Sequence, residues 1–327
     1  MTGSREAALG GIAAKEPART STSQPGPGSQ GGNGWLRKHR FEIALVTPLV
    51  AYTLLLTLVP ILDTFRLSLS GPRGESFPSV ANYTSIFDSP VFRTAVKNTA
   101  IVALLSLSLE LVVGLATALA LNARFRGRSF VRTIILIPLG VPTIVSGAVM
   151  LLLFSRSGYL NSLLANLADA INLLPGVDWS FVPLSWTVAG GWRTLFTVAI
   201  ADMWKVLPVV VLIFLAGLQS IPEDVYEAAD VDGASKWQRF TRITLPMLVP
   251  FITMAVILRA IDAFRIYELA LVLAGRVEPV LGTYIGQRYL PPANDVYTAA
   301  SSSIVLFVMI LAFIVAYLKF VALRDEP

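Results

Sequence analysis

Six long apolar blocks dominate the chain, at about residues 42–62, 95–122, 131–154, 194–218, 247–273 and 297–320. A run near or above twenty apolar residues crosses a hydrocarbon core of ~30 Å as a helix. The apolar residues follow neither a steady helical stripe nor a strand alternation, so a soluble fold does not account for them. The expected fold class is therefore all-α, a polytopic membrane protein with six transmembrane helices. Of the 327 residues only 14% are charged and 54% are hydrophobic, and the mean hydropathy is +0.67. A soluble domain carries about 25% charged residues.

The net charge of +5 could suggest a nucleic-acid partner. In a chain of spans, basic residues instead gather on the cytoplasmic loops. One side of the six-span arrangement holds Arg37, Lys38, Arg40, Arg124, Arg126, Arg128, Arg132, Lys236, Arg239, Arg242, Lys319 and Arg324. The other holds Arg66, Arg73, Arg93, Lys97, Arg156, Arg193, Arg276 and Arg288. Twelve against eight places both termini inside, because an even number of spans returns the chain to its starting side. Residues 1–34 are rich in Gly, Ser, Pro and Thr and read as a disordered cytoplasmic tail, with residues 35–327 as the transmembrane domain.

The chain contains no cysteine and one histidine, His39. Disulfides, thiolate catalysis and cysteine- or histidine-rich metal sites are excluded. No Gly-x-x-x-x-Gly-Lys-Ser/Thr stretch and no nucleophile–base constellation is present, so the chain reads as neither an ATPase nor another enzyme, with no cofactor of its own.

Between the fourth and fifth spans runs a polar segment from Ser220 to Pro246. Ser220 is a candidate N-cap, Pro222 suits a first turn, and Glu223 and Asp224 fall at the positive end of the helix dipole. The pattern predicts a helix to about Val231, a break at Asp232-Gly233, and a second short helix capped by Ser235 and running through Thr241. Leu245-Pro246 then leads back into the membrane.

Glu227-Ala228-Ala229, Asp232-Gly233-Ala234 and Ile243-Thr244-Leu245-Pro246 match in residue and spacing the EAA signature of binding-protein-dependent ABC importer permeases, and the chain resembles that family. The resemblance implies an ABC type I importer permease fold. It also implies that the loop docks into a groove of a separate ATPase subunit, which binds the ATP and Mg, with Glu227, Ala228, Ala229, Asp232, Gly233 and Ala234 as the coupling residues. Ile137-Pro138 through Pro142, Gly158 to Asn161, Trp204-Lys205 with Pro208, and Arg259 to Glu268 are similar to the sugar permeases of the maltose and trehalose type. The implied partners are a second permease subunit, two ATP-binding cassette subunits and an extracytoplasmic sugar-binding protein, assembled in a bacterial or archaeal cytoplasmic membrane. Glycerol-phosphate systems share these motifs.

Charges within the spans are costly and should face protein or water. Arg259, Asp262, Arg265 and Glu268 recur every three residues in the fifth block, which on one helix makes a stripe of alternating sign. Two readings stand: a polar wall of a translocation path, or a self-satisfied ion-pair ladder holding the two permease halves together. The resemblance places the substrate path here, with Arg259, Asp262 and Arg265 as contacts and Phe264 and Tyr267 as stacking surfaces. Asp202 and Lys205, three apart, are expected to pair locally, whereas Glu110 has no partner evident in its own span. Trp186, Trp192, Tyr284 and Tyr289 are expected in an outer aromatic belt. An ion-coupled secondary transporter would use the fifth-span charges as a relay, but the internal repeats common in such folds are not evident between residues 42–154 and 194–320.

Overall fold

The structure is a computed structural model that describes residues 39–123, 125–174, 178–187 and 190–325. The expected tail at 1–34 lies outside the described residues, as do Arg37, Lys38 and Arg124. Every regular element among the described residues is helical. The chain divides into two units, Met1–Val59 and Pro60–Pro327.

Helix α1, Arg40–Ser68, contains the first span. Its threonines fold their hydroxyls onto its own backbone, Thr47 Oγ1 to Ile43 O at 2.6 Å and Thr53 Oγ1 to Leu49 O at 2.9 Å. That satisfies polar atoms which hydrocarbon could not.

The second unit continues through α2 (Ala81–Asp88) into α3 (Pro90–Asn122), which starts at a Ser89 cap and carries the second span. Helix α7, Trp192–Ser220, carries the fourth, and α3 and α7 form the most extensive helix pair. Gly114 lets them approach, since a Cβ there would lie 2.7 Å from Val210 Cγ1. Helix α10, Leu245–Phe264, packs on both. Small residues are how spans come close when lipid offers no hydrophobic force between them.

The third block does not form one helix. It folds as α4 (Arg128–Gly140) and α5 (Thr143–Leu153), bent by 102° at the break. Val141 and Pro142 are extended, with ψ of 130° and 140°. A proline lacks the N–H that the preceding turn needs, and it disfavours helical backbone at the residue before it. Among the described residues, five helices are long and apolar enough to span a membrane, and six if the bent pair counts as one span.

Helix α6, Tyr159–Ile171, follows in the segment between the third and fourth blocks. Helix α8, Glu223–Val231, and the short α9, Lys236–Arg239, make the polar loop. A π-helical turn, Phe240–Thr244, joins α9 to α10, so Lys236–Phe264 is one continuous 29-residue helix. The block expected to reach residue 273 stops at Phe264 and restarts as α11, Glu268–Leu273. After α12, Leu281–Tyr289, the last span is α13, Val296–Asp325.

Candidate coupling loop and translocation cavity

The two halves of the EAA signature are hydrogen-bonded to each other. Ala234 N donates to Ala229 O at 2.9 Å, Gly233 N to Asp230 O at 3.1 Å, and Asp232 N to Ala228 O at 3.0 Å. Gly233 has φ +73°. These bonds form the Schellman ending of α8, in which a left-handed glycine turns the chain back onto the last helical carbonyls. Ser235 then starts α9 with a capping box: its Oγ accepts from Gln238 N at 3.3 Å, and Gln238 Oε1 accepts from Ser235 N at 2.8 Å. An Arg239–Asp230 ion pair and a Tyr226–Thr244 hydroxyl contact at 3.0 Å brace the two helices.

Ser220 is not the cap of α8, because Pro222 occupies the N-cap position and Ser220 Oγ donates to Gly217 O of the preceding helix. Of the signature residues, Ala229 is buried beneath the loop, while Glu227, Ala228, Asp232 and Gly233 are exposed. Two apolar side chains beside them are also exposed, Val231 at 88% and Trp237 at 71%. They carry no fixed position in the motif, and only their exposure on an otherwise polar loop distinguishes them.

Deeper in the second unit, Arg259 of α10 is 3% exposed and meets three carboxylates. Its Nε donates to Glu110 Oε2 at 2.7 Å, its Nη2 to Glu110 Oε1 at 3.0 Å and Asp202 Oδ2 at 3.2 Å, and its Nη1 to Asp262 Oδ2 at 3.2 Å. Ser106 Oγ bridges Glu110 Oε1 and Asp202 Oδ2 at 2.8 and 2.6 Å. Glu110 thus has both an interhelical partner and one in its own helix, a turn earlier. Ser106 could have been found from that i, i+4 spacing.

The expected local pair of Asp202 and Lys205 does not form. Asp202 turns to Ser106 and Arg259. Lys205 Nζ instead donates to backbone carbonyls at the break between α4 and α5: Pro138 O at 2.8 Å, Leu139 O at 3.2 Å, and Val141 O. The two side chains leave one helix toward different neighbours, and burial of each demanded a partner.

The charge stripe is likewise divided. Arg259, Asp262 and Arg265 form a chain of ion pairs, Arg265 Nη2 reaching Asp262 Oδ1 at 3.1 Å. Glu268 lies beyond the helix end and outside this chain. A cavity of about 340 Å³ opens beside the pairs, and Asp202, Arg259, Asp262, Arg265, Tyr267 and Glu268 line it. Arg259 is thus sunk into the protein, while Asp262 and Arg265 stand at the cavity. Phe264 is not on that surface. It is 4% exposed and packs on Phe313, with ring centroids 5.4 Å apart. Tyr284 is not a belt residue either: it is buried against Phe92 at 5.4 Å, because α12 folds inward onto α3 and α13. Trp186 packs on Phe154, whereas Trp192 and Tyr289 are exposed.

The family described as "Binding-protein-dependent transport system inner membrane component" matches residues 110–323, a stretch holding both the loop and the charged cluster. The chain belongs to that family. This permease is 36% identical over 290 residues to the trehalose/maltose transport system permease protein MalF of Thermococcus litoralis, covering 86% of this chain and 94% of that one. It is 35% identical over 246 residues to the trehalose transport system permease protein SugA of Mycobacterium tuberculosis, covering 73% and 75%. The arabinooligosaccharides transport system permease protein AraP of Bacillus subtilis is 30% identical over 316 residues, covering 93% and 97%. Among solved structures, a bacterial ABC transporter involved in the import of the acidic polysaccharide alginate matches with a TM-score of 0.72 and 23% identity, covering 90% of the permease and 99% of that chain. That likeness bears out the importer permease fold. The relatives are permease subunits, and the chain is accordingly a transport component and not an enzyme.

Proposed function

We propose that the permease carries a sugar, such as trehalose, maltose or a related oligosaccharide, through the cavity beside Asp262 by ATP-driven alternating access. The observation that carries this reading is the continuous helix Lys236–Phe264. It begins in the coupling loop and ends at Arg259 and Asp262, so displacement of the loop is transmitted along one rigid element to the cavity wall. A separate ATPase pair, holding ATP and Mg, docks on the exposed face of Glu227, Ala228, Asp232 and Gly233. A second permease subunit completes the path, and an extracytoplasmic binding protein delivers the cargo. Both termini lie on the cytoplasmic side of the membrane, with the Ser220–Pro246 loop.

Asp262, Arg265 and Tyr267 are the cavity groups suited to a polyol: a carboxylate accepts from hydroxyls, a guanidinium donates to them, and an aromatic face stacks on a sugar ring. The names of the relatives support a sugar cargo, since they specify trehalose, maltose or arabinooligosaccharides.

The test is reconstitution of the full complex in liposomes with ATP inside. Trehalose or maltose is expected to enter only with ATP and binding protein, and Asp262→Ala and Tyr267→Ala are expected to lower uptake while leaving basal ATP hydrolysis. Uptake driven by an ion gradient without the ATPase would overturn the reading. Transport of glycerol phosphate but no sugar would overturn the cargo.

A further inference from the structure

Lys205 is a buried cation, 8% exposed, on a membrane-spanning helix, and no carboxylate takes its charge among the described residues. Its three ammonium hydrogens instead match three carbonyl oxygens, those of Pro138, Leu139 and Val141. All three belong to the C-terminal end of α4 and the break that follows it. The last four carbonyls of any helix lack partners from their own helix. The donor that would meet Pro138 O from four residues on is Pro142, which has no N–H, so Pro138 O takes only the shorter-range bond from Val141 N at 3.3 Å and shares its oxygen with the ammonium. In a membrane such carbonyls have no water to turn to. The negative end of the helix dipole also favours a cation at this position.

The break joins two segments with different main neighbours. Helix α4 lies on α7, whereas α5 touches α7 but packs chiefly against α11, with Gly147 so close to Val272 that a Cβ would stand 3.1 Å from it. Thr143, the first residue of α5, lines the cavity together with Lys205.

We propose that Lys205 is a positioning residue that pins the broken third span, holding it bent so that α5 and α11 form one wall of the cavity. Pro142 prevents the helix from continuing regularly past Gly140, and the ammonium selects the bent arrangement by satisfying the carbonyls at its end. The inference rests on the geometry at the break and is independent of which cargo the permease carries.

The chain has no cysteine, so a pair of spin labels reads the bend directly. Phe130 in α4 and Leu152 in α5 are both well exposed and lie on either side of it. In the assembled complex carrying F130C and L152C, the unaltered lysine is expected to give one short distance. Lys205→Met is expected to shift or broaden that distribution toward the roughly 33 Å that a straight 22-residue helix spans at about 1.5 Å per residue. Lys205→Arg keeps a charged multiple donor and should retain the short distance, with Lys205→Gln between the two. Sugar uptake should fall in the same order as the bent fraction. A Lys205→Met distribution identical to that of the parent would overturn the proposal. So would straightening by Pro142→Ala with no change in the Met and Gln variants, since the proline alone would then hold the bend. If the Met variant fails to insert, the Arg and Gln variants decide: equal distances in both overturn it.

Discussion

Arg259 and Glu110 face each other across two spans and make two parallel bonds, Nε to Oε2 at 2.7 Å and Nη2 to Oε1 at 3.0 Å, with side chains 3% and 0% exposed. Neither charge could be held there alone. The pair stitches α10, which leads from the loop bearing the EAA signature, to α3, the neighbour of α7.

Removing one member should therefore cost more than removing both. Glu110→Ala leaves a buried guanidinium short of its closest carboxylate, a change expected to destabilise by about 3–5 kcal/mol. Glu110→Leu with Arg259→Met, which supplies apolar volume on both sides, should lie much nearer the parent. Thermal unfolding of the purified complex in detergent measures both. Equal losses in the single and double variants would show that the pair does not hold these helices.

Gly233 separates backbone strain from docking. Its φ of +73° penalises any side chain, by about 1–2 kcal/mol. Yet a Cβ there meets no atom of this chain within 4 Å. Gly233→Ala and Gly233→Trp share the strain and differ only in bulk offered to a partner. Alanine should reduce uptake modestly, while tryptophan should abolish uptake with the protein still inserted and ATP hydrolysis continuing. Normal transport by the tryptophan variant would remove this turn from the coupling surface.

Asn161 fastens the segment between α5 and α7. Its Nδ2 donates to Ser155 O, Arg156 O and Leu184 O, and its Oδ1 accepts from Leu184 N at 3.0 Å and Trp186 Nε1 at 3.4 Å. Asn161→Ala leaves several of these groups unpaired, at about 1–3 kcal/mol. Hydrogen exchange should show the loss as faster exchange at the Leu184 amide, with the α7 amides unchanged.

Gly217 sets the approach of α10 to α7, since a Cβ would lie 2.6 Å from the Phe251 ring and 2.7 Å from Leu248 Cδ2. Gly217→Ala should destabilise by about 1–3 kcal/mol through overpacking. Phe251→Leu in the same chain should recover part of that loss, read as a rise in the unfolding temperature over the single variant.

Much of this molecule is legible in one dimension. The spans are runs of apolar residues long enough to cross a bilayer, and the loop bearing the EAA signature is built from contacts within a few residues. Ala234 bonds Ala229, and Ser235 bonds Gln238, so residue type and spacing suffice to read them. The two breaks were less legible. Pro138 and Pro142 lie at the bend in the third span, but a proline by itself does not reveal that the bend reaches 102°. No proline or glycine marks the end of α10 at Phe264, and the three-residue charge spacing continued past it into α11.

By itself the sequence determined the helical class, the number of apolar blocks and the turn at Gly233, because chain length, hydrophobicity and local backbone geometry act over short distances. Only the tertiary structure decided where the buried charges go. Asp202 and Lys205 sit three residues apart and were free to pair, yet Asp202 joins an arginine 57 residues on, and Lys205 joins carbonyls 64 to 67 residues back. The physical reason is that a buried ion takes the partners that helix packing brings within about 3 Å, and packing is set by side chains far away in the chain.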